Sequence, residues 1–422
     1  VAGDRQAGAA SPSRHGTGDG ARRQPIVNTW HVITGEYPPQ PGGVSDYTRQ
    51  LARGLVEAGD RVDVWAPPFD RGDRRENNAD EAPSRDSGIT VHRLPDRFGL
   101  KSLLYLTRAL NRLPAPRRIL VQYVPQAFGM KGTNLPFCLW LRLRRRDSIW
   151  VMFHEVMFRA EGDRRVSRLA LAAVNRWMAM LVAGAAERAF VSIPGWRPMI
   201  EPLLRKGTSV TWLPVPSAIP VLEDPAATAA IRTRYAAGHP LVGHFGTYGA
   251  AVGALLERTL EDLAVMSDCH VLLLGDRSDT VCRALTAAHP SLTGRLFATG
   301  RLTAGDISHH IAACDVMLQP YPDGISSRRT SAMVALSHGR AIVTTAGWLT
   351  EPMWAEAGAA VLAPVDDPHA LAAAAAMILL DVSQREEIAR RAAELYDARF
   401  AVRHTIAALR ACDIAPRLLA AS

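Results

Sequence analysis

Short apolar runs alternate with longer amphipathic stretches along almost the whole chain. Amphipathic stretches such as 45–57 and 166–187 have the spacing of helices. The apolar runs lack strict apolar–polar alternation, so they predict strands of a parallel sheet that is covered on both faces. In the first half these runs are 26–35, 61–67, 89–95, 118–125, 148–155, 188–193 and 209–216. Alternating strands and helices predict a doubly wound α/β fold.

The pattern is interrupted between Val215 and Pro240, and prolines at 214, 216, 220, 225 and 240 predict an interdomain linker followed by a short helix. Apolar runs then resume at 241–247, 269–276, 295–300, 315–321, 341–347 and 359–364. We therefore predict two doubly wound, Rossmann-like domains that face each other across a cleft. The predicted parts are a disordered tail (1–24), an N-terminal domain (25–216), a C-terminal domain (217–395) and a final helix (396–422) that packs back on the N-terminal domain.

Composition narrows the class of partner. The 422 residues carry a net charge of +8, which suits anionic small molecules, membrane surfaces or nucleic acid. No recognition helix, zinc finger or aromatic RNA platform is evident, so we expect no nucleic-acid partner. The five cysteines form no CxxC pair, and no apolar run has the length of a transmembrane helix. We expect a cytoplasmic protein without a metal site.

The segment 323–339 carries the strongest sign of function. It begins as a loop of small and polar residues and is predicted to become a helix near Ser327, with Arg328 and Arg329 in the first turn. Helix N-termini favour anions, and guanidinium groups strengthen that preference. We interpret the segment as a phosphate site. The alternative is a solvated helix start with two surface arginines.

A second candidate is the glycine-rich loop 36–47, between the first strand and the first helix. Gly42 and Gly43 would let a ligand approach the backbone, and Ser45 and Asp46 could cap the helix. The loop would contact a phosphate or an acceptor hydroxyl. An ordinary strand-to-helix turn explains the same residues.

A third candidate is the pair His154 and Glu155, which ends an apolar strand. Side chains there emerge into the predicted cleft, where His154 could bond a sugar hydroxyl and Glu155 could bond another or orient the histidine. The alternative is a histidine bonded to nearby backbone.

Loops of the second half could hold a nucleotide diphosphate. Gly246 and Thr247 offer backbone amides and a hydroxyl after the strand 241–247, Gly275 ends another strand, and Arg301 follows a third. Each of these loops is equally explained as a turn.

The order of these motifs resembles the retaining glycosyltransferases of the GT-B fold, family four (glycosyl transferases group 1). The resemblance begins at GEYPPQPGGVSDYTRQLARGLVEAGDRVDVW and covers about residues 25 to 400. Its other landmarks are the His-Glu pair at 154–155, LLLGD, ATGRL, ACDVMLQPY and ALSHGRAIVTT.

This resemblance implies a substrate and a set of roles. The donor would be a nucleotide-diphosphate sugar, with no cofactor and no metal, and the acceptor a small molecule, a saccharide or a lipid. Gly43 would line the acceptor and phosphate cleft, His154 would face the transferred sugar, and Gly246 and Thr247 would meet the diphosphate. The wider donor-binding set is Gly246, Thr247, Gly275, Arg301, Ser326, Ser327, Arg328, Arg329 and Thr330.

The chain departs from the family at two places. The family has two glutamates eight residues apart, where this sequence has Ser326 and Val334. Arg328 and Arg329 would replace cationic residues that the family carries on another helix, and Asp323 would replace the missing catalytic carboxylate beside His154 and Glu155. These departures leave open a non-catalytic nucleotide- or sugar-binding protein and a GT-B sugar epimerase.

The segment 135–146 combines leucine, phenylalanine and tryptophan with four arginines. Related enzymes dock on membranes through such patches, which would place the protein at the periphery of the inner membrane. A core helix with a basic C-terminal end is the alternative.

Overall fold

The computed structural model describes residues 27–40, 42–71, 74–75, 84–156, 166–246 and 248–420. The predicted disordered tail, 1–24, and Thr247 lie outside these residues. The strands in chain order are β1 Thr29–Thr34, β2 Arg61–Ala66, β3 Asp70–Arg71, β4 Arg74–Arg75, β5 Ser84–Asp86, β6 Ile89–Arg93, β7 Arg118–Tyr123, β8 Ser148–Phe153, β9 Arg188–Val191, β10 Val210–Trp212, β11 Leu241–Phe245, β12 His270–Leu274, β13 Leu296–Ala298, β14 Val316–Gln319, β15 Ala341–Ala346 and β16 Val361–Pro364.

The helices in chain order are α1 Gly43–Glu57, α2 Leu100–Asn111, α3 Leu135–Leu143, α4 Val166–Ala185, α5 Arg197–Ile200, α6 Pro225–Ile231, α7 Ala250–Met266, α8 Ser278–Ala288, α9 Ala304–Ala313, α10 Thr330–Ser337, α11 Met353–Ala357, α12 Pro368–Leu380, α13 Val382–Leu395 and α14 Val402–Ala420.

Two sheets organise the molecule. The first has the order β10-β9-β8-β7-β1-β2-β6-β5, and its strands are parallel except that β5 runs antiparallel to β6. The second has the order β13-β12-β11-β14-β15-β16, and every pairing in it is parallel. In each sheet the first strand in the chain, β1 or β11, is central. The strands that follow extend the sheet to one edge, and the later strands, from β7 or β14 onward, extend it to the other. The predicted pair of doubly wound α/β domains is confirmed.

Both faces of each sheet are buried, as the apolar runs predicted. In the first sheet Ile33 and Val121 face a core that α2, α3 and α4 cover, while Trp30 and Val32 face a core that α1 and α14 cover. Every residue of β12 is buried. A parallel strand that is buried on both faces needs apolar side chains on both, which is why strict alternation is missing.

The chain passes between the domains twice. After β10 it runs through the proline-rich segment to α6, where the Asp224 carboxylate caps the helix by accepting a hydrogen bond from the Ala227 N–H. After α13 it returns, and Ile406 and Leu409 of α14 pack in the same core cluster as Leu51 and Leu55 of α1.

Candidate active site

The carboxyl ends of the strands of the two sheets meet at a cleft with two adjoining cavities. The larger cavity, of about 490 Å³, is lined mainly by loops after β11, β12 and β14. The smaller one, of about 170 Å³, lies among loops after β1, β7 and β8. Gly43, Arg328 and Thr330 line both cavities and mark their junction. The strand order reverses between β1 and β7 and between β11 and β14, which is where doubly wound folds bind ligands.

Most of the residues predicted from the sequence meet here. The larger cavity is lined by Gly42, Gly43, Asp46, Gly246, Gly275, Arg301, Arg328, Arg329 and Thr330. His154 and Glu155 line the smaller cavity. Three predicted residues line neither cavity: Asp323, Ser326 and Ser327.

The N-terminus of α1 is capped by a residue that precedes it. Glu36 Oε1 accepts hydrogen bonds from the backbone N–H groups of Val44 at 3.0 Å and Ser45 at 3.1 Å. Gly42 makes room for this carboxylate, because a Cβ there would lie 2.4 Å from Glu36 Oε1. Ser45 instead donates its hydroxyl to the Gln40 carbonyl. The expected capping by Ser45 is therefore wrong, and two amides of the glycine-rich loop already bind an anion of the protein itself.

His154 is a buried, neutral side chain at the end of β8. Its Nε2 lies 2.8 Å from Gln122 Oε1 on the adjacent strand β7, and its ring packs edge-on to Tyr47. Burial lowers the pKa of His154 to about 3. Its carbonyl accepts a hydrogen bond from Trp196 Nε1 at 3.0 Å. The imidazole can therefore exchange hydrogen bonds with a ligand near neutral pH, but it is not a proton donor of the imidazolium type.

Arg328 and Arg329 are held by carboxylates from both domains. Arg328 Nη2 donates to Asp323 Oδ2 at 2.5 Å, and its Nη1 donates to Glu155 Oε1 at 3.3 Å across the cleft. Arg329 also donates to Asp323. The Arg328 guanidinium lies 5.8 Å from the centre of a Trp196 ring. Asp323 thus orients both arginines, of which Arg328 lies at the junction of the cavities and Arg329 lines the larger one.

The helix after this loop begins later than the sequence predicted. α10 starts at Thr330, so Arg328 and Arg329 precede its first turn instead of lying in it. The N–H and hydroxyl of Ser327 are not available to a ligand, because both donate to the carboxylate of Glu351, which lies 24 residues further along the chain. The Ser327 carbonyl accepts from Val215 N–H at 3.1 Å. Ser327 therefore ties the linker to the C-terminal domain.

The positions where the family has glutamates line neither cavity. Ser326 and Val334 are fully buried, and Val334 belongs to a core cluster of the C-terminal domain.

On the side of the larger cavity that the C-terminal domain forms, the loops after β11 and β12 contact each other closely through their backbones. Gly275 has a φ of +112°, and a Cβ there would lie 2.7 Å from the Gly246 carbonyl oxygen, so only glycine fits. Arg301 Nη2 lies 3.3 Å from Asp276 Oδ2. The first turn of α7 carries no charged side chain, and Gly249 and Val252 at its start line the cavity.

The residues missed from the sequence include Glu36, Gln122 and Tyr321. Tyr321 lines the larger cavity, and its hydroxyl lies 2.7 Å from Ser331 Oγ. Glu36 could have been found as the charged residue directly after the first strand. Gln122 could have been found as a polar interruption of an apolar run, like His154. Tyr321 could have been found as the last residue of the ACDVMLQPY landmark, directly after a strand.

Two models of known protein families match the chain, one in each domain. The family model described as Glycosyl transferase 4-like domain matches residues 42–197, and the one described as Glycosyl transferases group 1 matches residues 240–381. Together the two matches cover more than half of the chain. No curated protein sequence matches it.

Solved structures share the whole architecture at low sequence identity. Sucrose-phosphate synthase from Thermosynechococcus elongatus is 18% identical, with a TM-score of 0.68 over 94% of this chain and 100% of that one. HepE of Anabaena, solved with UDP and glucose, is 15% identical, with a TM-score of 0.64 over 92% and 100%. The α,α-trehalose 6-phosphate synthase from Burkholderia multivorans is 15% identical, with a TM-score of 0.63 over 93% and 98%. The chain belongs to the group 1 glycosyltransferases of family four, and its two domains form the GT-B fold.

Proposed function

We propose that this glycosyltransferase moves a sugar from a nucleotide diphosphate to an acceptor with retention of configuration. The observation that carries the proposal is the pair of adjoining cavities, with Arg328 at their junction and Arg329 in the lining of the larger one. The larger cavity is within the roughly 300–1,000 Å³ of small-molecule sites, so it suits a nucleotide diphosphate. The complex of HepE with UDP and glucose, on the same fold, agrees with this kind of donor.

In the proposed reaction the bond between the sugar and the diphosphate breaks at the junction. The diphosphate leaves with the electron pair and is stabilised by Arg328, Arg329 and the amides at the start of α10. The acceptor oxygen attacks the same face of the oxocarbenium-like sugar, and its proton passes to the departing diphosphate. Glu155 and Asp323 act through the arginines, and His154 contributes a hydrogen bond. The proposal includes no metal and no cofactor, because guanidinium groups and amides supply the positive charge.

A non-catalytic nucleotide- or sugar-binding protein is the second candidate. The ion pairs of the cleft favour it, since Arg301, Arg328 and Arg329 each already contact a carboxylate. A donor must compete with these carboxylates, which lowers its affinity. Release of nucleotide diphosphate from a donor sugar by the purified protein would exclude this candidate.

The first test is calorimetric titration with UDP, GDP, UDP-glucose and GDP-mannose. We expect Arg328→Ala and Arg329→Ala each to weaken binding roughly ten-fold or more, since a hydrogen bond to a charged group contributes about 1.5–3 kcal/mol. Arg283→Ala, on the exposed side of α8, is the matched control and should bind like the wild type. Unchanged affinity in both cleft variants would contradict their role, and no binding of either nucleotide by the wild type would overturn the proposed function.

A further inference from the structure

Glu36 has one carboxylate oxygen that is bonded and one that is available. Oε1 accepts both amide hydrogens at the start of α1, whereas none of the residues that the structure describes donates a hydrogen bond to Oε2. Glu36 lines the smaller cavity together with His154 and Glu155. Each oxygen of a carboxylate can accept about two hydrogen bonds. A ligand in the smaller cavity therefore finds an acceptor that the fold has already oriented.

The smaller cavity has an excess of negative charge. Its lining includes the carboxylates of Glu36 and Glu155, and Arg328 is the only arginine or lysine among the described residues that line it. Arg328 is shared with Asp323, which lies just outside the cavity. His154 is neutral near pH 7. One positive and two negative side chains leave the lining with a net charge of −1.

The size of the cavity restricts what enters it. Its volume of about 170 Å³ is several times the ~30 Å³ that a water molecule occupies and is below the range of drug-sized sites. This volume suits one small polar ring. The cavity joins the larger one at Gly43, Arg328 and Thr330, so a ring in it could remain attached to a diphosphate at the junction.

Building on the proposed function, we infer that the smaller cavity holds the transferred sugar as an uncharged or amino-bearing ring, with Glu36 Oε2 accepting a hydrogen bond from its hydroxyl or ammonium group. A glycuronosyl group is rejected, because its carboxylate would face Glu36 and Glu155 in a partly desolvated site where like charges repel strongly. Glu36 thereby supplies a carboxylate to the sugar, which neither Ser326 nor Val334 provides.

The test replaces Glu36 with glutamine. The amide oxygen of Glu36→Gln still accepts the two α1 amide hydrogens, so the cap and the melting temperature should stay unchanged. The variant and the wild type are titrated with UDP, UDP-glucose and UDP-glucuronate, or with GDP, GDP-mannose and GDP-mannuronate. Each series separates the contribution of the nucleotide to the binding affinity from that of the sugar. We expect the wild type to bind the neutral donor roughly ten-fold or more tightly than the glycuronate, and Glu36→Gln to lose most of that preference while its affinity for the free diphosphate is unchanged.

Glu57→Gln is the matched control, because it removes a carboxylate at the exposed, opposite end of the same helix. It should keep the wild-type preference. If the wild type binds the free diphosphate but Glu36→Gln keeps the full preference for the neutral sugar, Glu36 is only a helix cap and the inference fails. If the wild type binds the glycuronate as tightly as the neutral donor, the proposed sugar class is wrong. If it binds no nucleotide, the proposed function fails first.

Discussion

At the scale of single residues, burial decides chemistry that the sequence leaves open. His154 was predicted in the cleft as a group that could bond a sugar hydroxyl. In the structure it is 7% exposed, bonded to Gln122 and packed against Tyr47. The loss of hydration makes its charged form unfavourable, so the folded protein keeps the imidazole neutral.

This neutrality predicts a loss of stability in acid. Because the folded pKa of about 3 lies below the unfolded value near 6.5, protonation favours the unfolded chain, and stability falls as the pH drops from about 6.5 to about 3. Between pH 7 and pH 5 the wild type should lose about 2 kcal/mol more than His154→Gln, at about 1.4 kcal/mol per unit of pKa shift. Urea unfolding of both proteins at the two pH values measures this. Equal losses would show that His154 is hydrated in the folded state.

The arginines illustrate the limit of sequence reasoning at this scale. Their place at a predicted ligand site could be inferred from the loop after β14 and the helix that follows it. Their partners could not be inferred, since Asp323 is local but Glu155 lies 173 residues away. A cation in a sequence shows no sign of whether its charge is compensated by a distant carboxylate.

At the scale of elements, the start of α1 depends on a contact outside the helix. Local capping rules favoured Ser45 and Asp46, but the amides of Val44 and Ser45 bond to Glu36. Burial raises the pKa of the Glu36 carboxyl, and the two amide hydrogen bonds oppose that shift. The turn between β1 and α1 brings Glu36 to the helix end, which a short-range capping pattern does not foresee.

Gly42→Ala tests this cap. The new Cβ would lie 2.4 Å from Glu36 Oε1 and would push the carboxylate off the helix end. We expect a loss of about 1–2 kcal/mol in the free energy of unfolding, the size of a lost cap. In a Glu36→Ala background Gly42→Ala should lower the free energy of unfolding much less, because the cap is already absent. Equal costs in both backgrounds would contradict the mechanism.

Gly253→Ala is the control for introducing an alanine. Gly253 lies within α7, where a Cβ meets no atom within 4 Å. Alanine there should stabilise the protein by up to ~1 kcal/mol, since glycine is the poorer helix former. Urea unfolding curves of the variants provide both comparisons.

At the scale of the whole molecule, the C-terminal domain and the final helix help to build the N-terminal domain. Leu349, from the loop after β15, belongs to a core cluster of the first sheet, and Leu409 of α14 packs with Leu51 of α1. Arg410 donates to the Ala58 carbonyl at 2.7 Å. The relative position of the two domains is therefore stabilised by contacts from the loop after β15 and from α14, in addition to the interdomain segment.

Leu409→Ala should destabilise the protein by about 2–5 kcal/mol, the cost of emptying a buried leucine site. Leu409 is 1% exposed, whereas Leu380, at the end of α12, is 86% exposed and serves as the control for Leu→Ala. Hydrogen exchange should locate the loss of protection in α1. A loss confined to the C-terminal domain would contradict the role of α14.

The basic segment 135–146 contains α3, which packs through Phe137 and Leu141 and leaves Leu139 and Leu143 exposed. Its contact with a membrane stays a prediction. Within the part of the chain that the structure describes, no helix has the length and apolar character needed to cross a bilayer.

The sequence by itself determined the two doubly wound domains, the positions of the strands apart from the short β3, β4 and β5, and the loops that meet in the cleft. These follow from apolar periodicity and from glycines and prolines, whose effects act over a few residues. Only the tertiary structure decided that Glu36 caps α1, that α10 begins at Thr330, and that the arginines are paired. Each of these features depends on a hydrogen bond or ion pair whose partner is distant in sequence or is positioned by a turn. Each also depends on the dehydration of the groups on folding, which a local sequence pattern does not predict.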